Sequence, residues 1–142
     1  MPSTNYYTWV YAAEGVEPWW TIWVTMIELM DLDLARMTAL KEDYDFSATP
    51  DFDADAGNFH VLGVLTGNIT GWDISGGMAG QVISIKFTQD GTGNRTIAGA
   101  DSKIKHIGSA YTMTATADKT DILKFQFDGA IWWELSRAQN MG

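Results

Sequence analysis

The sequence predicts a mainly β protein: an antiparallel, jelly-roll-like β-sandwich on the C-terminal side, preceded by an N-terminal α-helix in a trimeric bundle. Three observations predict it. All of the 14 glycines except Gly15 and Gly57 lie from Gly63 onward. Over the same stretch apolar residues recur with period two, the repeat of a half-buried strand. Before it, one segment carries apolar residues at helical spacing instead. With 142 residues, 46% of them apolar, the chain has the material for one real core.

Charge divides the chain in the same place. The net charge is −9. Residues 1–57 hold eleven acidic and two basic side chains, and the seven acids and seven bases of residues 58–142 cancel. Three parts follow: an aromatic strip with a helix over 1–41, an acidic connector over 42–57 and a β-domain over 58–142.

Residues 1–17 are aromatic-rich without helical periodicity, and Tyr6, Tyr7, Trp9 and Tyr11 form an extended strip. Such a strip cannot bury its own rings. It either packs on the rest of the chain or attaches to another subunit or assembly, where aromatics supply area at low entropy cost. Pro18 then suits the first turn of a helix, with Glu17 favourable at its N-terminal end. Trp20, Trp23, Ile27, Met30, Leu34 and Met37 are spaced 3, 4, 3, 4, 3, a heptad seam. The seam fits a bundle between identical chains, or the packed face of an intrachain helix. Two bulky tryptophans crowd a two-stranded coil, which favours three strands.

The connector closes with Asp51, Asp53 and Asp55 at alternate positions, like the opening of a calcium loop. However, Ala56 stands where that loop turns on glycine and Leu62 where a bidentate glutamate belongs. A solvated linker fits better.

In the β-domain, strands are predicted at Phe59–Leu65, Val82–Phe87, Lys103–Ile107, Asp121–Phe127 and Ala130–Leu135. Asp90-Gly91 with Gly93-Asn94, and Asp128-Gly129, read as hairpin turns. Asp121 is expected to accept loop amides, and Arg95 to pair with Asp90.

The runs GQVISIKFTQDGTGNRTI (Gly80–Ile97) and KIKHIGSAYTMTATADKTDILKFQFDGAIWWELSR (Lys103–Arg137) resemble the C-terminal β-domain of tail-fibre, head-fibre and related virion proteins of tailed bacteriophages. The resemblance covers residues 80–137. It implies a homotrimer on a capsid or tail, as a fibre, spike or capsid decoration contacting other virion proteins, and no catalysis.

The residues themselves assign no catalytic, cofactor or metal site. There is no cysteine. His60 and His106 lack metal-motif spacing, and no serine sits in a nucleophile elbow. The acidic balance speaks against nucleic acid as a partner. No Lys or Arg precedes Arg36, so no basic leader is expected, and the apolar run from Pro18 to Met30 is too short for membrane insertion. The expected location is the virion, after synthesis in the host cytoplasm. Trp72 and Trp133 are candidate glycan contacts, which would make the domain a host-receptor module. Of the adjacent Trp132 and Trp133, strand geometry sends one to the core and one outward.

Overall fold

The computed structural model describes residues 25–28 and 40–142. Residues 25–28 are helical, with Met26 and Ile27 exposed. The remaining seam positions, Trp20, Trp23, Met30, Leu34 and Met37, and the strip Tyr6, Tyr7, Trp9 and Tyr11, lie outside the described residues.

Residues 40–142 form eight strands: β1 (Lys41–Tyr44), β2 (Asp51–Asp53), β3 (Phe59–Leu62), β4 (Asp73–Ser75), β5 (Val82–Thr88), β6 (Ile104–Lys105), β7 (Thr120–Phe127) and β8 (Trp132–Met141). A six-stranded sheet runs β1-β3-β5-β7-β8-β6, and β2 pairs with β4 in a second sheet. The antiparallel expectation holds only at β5/β7 and β7/β8. The pairs β1/β3, β3/β5, β2/β4 and β6/β8 are parallel.

The parallel pairs have a simple cause. Parallel neighbours need a long crossover, commonly a helix. Between β1, β3 and β5 the crossovers run through β2 and β4 of the smaller sheet, so β1–β2, β3–β4 and the chain after β5 lie on one another as successive coils, while β6 and β8 are joined through β7 of the large sheet. Isolated parallel bridges Leu65–Gln89, Ile69–Ile97 and Trp72–Ala100 extend the contact between coils. The coils approach closely at Gly99, whose φ is +70° and where a Cβ would collide with the Thr70 carbonyl oxygen.

Two turn readings therefore part company. Asp128-Gly129 closes the β7/β8 hairpin as expected: the Asp128 carboxylate accepts from the amides of Ala130 (2.8 Å) and Ile131 (2.7 Å). The Asp90–Asn94 turn instead leads into the coil contact at Ile97, with no hairpin partner. Arg95 still pairs with Asp90 at 2.6 Å.

The acidic stretch 42–57, expected as a solvated linker, is part of this fold. It supplies most of β1 and all of β2, and buries Phe52 and Ala54. On β2, Asp51 and Asp53 flank the buried Phe52, so strand alternation turns both carboxylates outward. One core joins Phe52 and Ile74 of the small sheet to Ile83, Ile85, Phe87, Leu123, Phe125 and Trp132 of the large one.

Candidate functional site

The six-stranded sheet has one face on the core and one face open, and strand alternation decides which side chains meet solvent. On β8, Trp132 is buried and stacks on Phe127, with ring centroids 4.6 Å apart. Its neighbour Trp133 is 49% exposed. One tryptophan inward and one outward is the predicted division. The Trp133 indole N–H donates to the Asp128 carboxylate at 2.7 Å, which fixes the ring over the turn. That bond is the main cause holding the Asp128 carboxyl below its ordinary range, aided by the amides of Ile131 and Ala130.

Trp72, the other candidate glycan contact, is a correction. It is 5% exposed, and its ring meets Phe52, Phe87 and Phe125 edge to face. Surrounded by rings on three sides, it has no free face to offer a sugar. It belongs to the core because the second coil turns back over the large sheet there, a long-range arrangement that local sequence does not show.

Around Trp133, the register sets Lys105 of β6 on one side and Gln126 of β7 on the other. Lys124 lies two residues along β7, opposite Ser84 of β5, and Lys86 is two residues beyond that. Leu135 is exposed beside Trp133. The open face is thus a mixture of ammonium groups, amide and apolar surface.

The core face holds the polar groups that a search for chemistry would single out, and each is committed to scaffolding. The Asp121 carboxylate is buried and accepts from the Tyr111 hydroxyl (2.7 Å) and the amides of Thr114 (2.8 Å) and Asn140 (2.9 Å). Burial pushes this carboxyl up, and the hydrogen bonds from Thr114, Tyr111 and Asn140 outweigh it and hold it low. The Tyr111 hydroxyl is pushed far up by burial and by that carboxylate. Asp121 thus accepts loop amides as expected and ties β7 to the last residues of β8.

Sequence reasoning missed the ion-pair cluster at Glu134. Its carboxylate meets His106 Nδ1 at 2.6 Å and Arg137 Nε at 2.5 Å. In a regular strand, residues three apart point to opposite faces. A bulge shifts the β7/β8 register between Lys124 and Phe125, so Glu134 and Arg137 share the inner side. Only a predicted bulge would have revealed the pair.

His60 is buried, with Nδ1 3.1 Å from the Tyr44 hydroxyl and Nε2 without a partner among the described residues. Burial lowers its pKa, so the ring is held neutral. Asp53 and Asp55, suggested by the calcium-loop spacing, accept backbone amides from Asp55 and Gly77. Among the described residues, no group of three or more His, Cys, Asp or Glu could hold a metal ion. No helix of the described residues is long and apolar enough to cross a membrane.

Among the described residues, the wound β-scaffold holds Asp121 and Glu134 in hydrogen-bonded clusters on its inner side and carries one mixed open face. Residues 48–132 match the family described as "Putative phage tail fibre C-terminal domain". The match spans more than half of the chain, and the chain belongs to that family. It is a phage tail-fibre-type protein, a structural component of the virion that associates with other virion proteins. No curated protein matches the chain.

Proposed function

We propose that the chain is a homotrimeric fibre, spike or capsid-decoration protein, attached to head or tail through residues 1–41 and presenting the β-domain outward. The observation that carries the virion role is the family match over residues 48–132. The trimer is supported by the seam Trp20, Trp23, Ile27, Met30, Leu34 and Met37, and by the exposure of Ile27 on a helical segment (51%). Attachment through Tyr6, Tyr7, Trp9 and Tyr11 is supported by their aromatic area and by the acidic charge around them, which suits a basic patch on a partner.

Light scattering of the purified chain tests the assembly. The expected mass is three times 15.7 kDa. A monodisperse monomer at micromolar concentration overturns the trimer, and a trimer that survives Ile27→Asp combined with Leu34→Asp overturns the seam as what holds it together.

A second reading, a carbohydrate-binding receptor module, is favoured by one observation: Trp133 is exposed and held in place by Asp128. Glycan-array binding that is lost in Trp133→Ala supports it. With Trp72 in the core, Trp133 alone carries this reading.

A further inference from the structure

The described residues include eight basic side chains, and five of them have an internal partner. Lys41 pairs with Asp43, Arg95 with Asp90, Lys103 with Asp73 and Arg137 with Glu134, while Lys119 donates to the Gly142 carbonyl. Lys86, Lys105 and Lys124 have no ion pair and no side-chain hydrogen bond among the described residues. In a chain of net charge −9 this is no shortage of acids.

The three unpaired lysines also share one place. They stand on the open face of the large sheet, on β5, β6 and β7, with Trp133 and Leu135 of β8 between Lys105 and Lys124. Neighbouring strands are about 4.8 Å apart and residues rise about 3.4 Å along each, so the diagonal track from Lys105 across Trp133 and Lys124 to Lys86 spans roughly 20 Å. Its aromatic member is already oriented, so a ligand spends little ordering entropy on it.

We infer that this track is a binding site for an acidic polysaccharide, in which Trp133 stacks on a sugar ring while Lys105, Lys124 and Lys86 take the carboxylates or phosphates of that sugar and its neighbours. The inference rests on the carbohydrate reading of Trp133 and adds the charge class of the ligand. A lysine ammonium is a compact point charge on a flexible stem, suited to anions whose spacing varies along a polymer. The indole offers a flat apolar face beside them, matched by the C–H face of a pyranose ring. Nucleic acid fits less well. Its dense phosphates meet the repulsion of the whole chain, and single-strand binding relies on several stacked aromatics rather than one. A saccharide with an anion on only some of its sugars matches three spaced cations.

The test uses the full chain on an array of acidic bacterial polysaccharides, each printed beside its carboxyl-reduced or dephosphorylated form. Expected is binding to at least one acidic polysaccharide, lost on removal of its charge and weakened by salt. Trp133→Ala and the double variant Lys105→Gln with Lys124→Gln each weaken it by roughly tenfold or more. Lys119→Gln, off this face, leaves it unchanged. Trp133→Phe, which keeps a ring, retains part of the binding and guards against a folding effect in the alanine variant.

Binding that persists on the charge-free polysaccharide and still falls in Trp133→Ala overturns the acidic ligand and leaves the carbohydrate reading standing. No binding to either form overturns both. Binding that ignores Trp133 and is competed equally by duplex DNA is unspecific attraction of polyanions to lysine, and also overturns the site. A lysine double variant that changes the oligomeric mass assigns the face to a second copy of the chain instead.

Discussion

The two faces of the six-stranded sheet are built from the same strands and do opposite work. The core face carries Ile83, Ile85, Phe87, Leu123, Phe125 and Trp132, and its polar members His60, Asp121 and Glu134 are enclosed and engaged. The open face carries Lys86, Lys105, Lys124, Gln126 and Trp133, and its lysines are unengaged. Burial makes an unsatisfied group costly, so the core face selects partners for every charge. The open face has no such demand, and its residues are free to serve a partner.

The largest expected effect comes from breaking the core face. Phe125→Ala removes a ring that touches both Trp72 and His106, and is expected to cost about 3–5 kcal/mol of stability in denaturant titrations. Asp121→Ala comes next. It leaves the Tyr111 hydroxyl and the Thr114 and Asn140 amides without their acceptor, at about 1–3 kcal/mol for each group that stays dry. The loosened loop would show as lost amide protection around residue 114 and at the end of β8.

A pH series sharpens the same contrast. His60 has a folded pKa below its ordinary value of about 6.5 because it is buried. The unfolded chain then binds the extra proton first as pH falls. Its contribution to stability is complete above pH of about 6.5, is lost on acidification below that, and stops changing once the folded pKa is passed. The carboxylates with lowered values, Asp121 among them, act only nearer their ordinary range of about 4. Thermal melts between those two windows should therefore show a downward slope with acidification, reduced in His60→Leu.

The smallest effect belongs to the open face. Lys124→Gln, like Lys105→Gln, is expected to shift stability by no more than about 0.5 kcal/mol, because nothing in the fold depends on either ammonium. Trp133→Ala loses an exposed hydrogen bond and is expected to cost about 1 kcal/mol. A large loss at any of these positions would show that the open face is structural.

Much of this fold was legible from residue order. Period-two alternation located β3, β5, β6 and β7 and the start of β8, because a strand with one wet face must alternate. Asp128-Gly129 announced its hairpin, and the Arg95–Asp90 pair and the Asp121 hub followed from short-range chemistry. The short strands β2 and β4 were not legible, since three residues carry too little pattern and their acids resembled a linker. Nor was the site fully legible. Alternation separated Trp132 from Trp133 without saying which faces outward, and the lysines that flank Trp133 come from strands far apart in sequence.

What the sequence determined by itself was therefore the alternation: which residues of a strand share a side, where β7 turns into β8, and that Trp132 and Trp133 part. Those properties depend on backbone geometry over a few residues. Strand direction, the place of Trp72 and the grouping of Lys86, Lys105 and Lys124 were decided by tertiary structure alone. Alternation is identical in parallel and antiparallel strands, so only the winding of the coils selects the neighbour. The partner of each face depends on that choice.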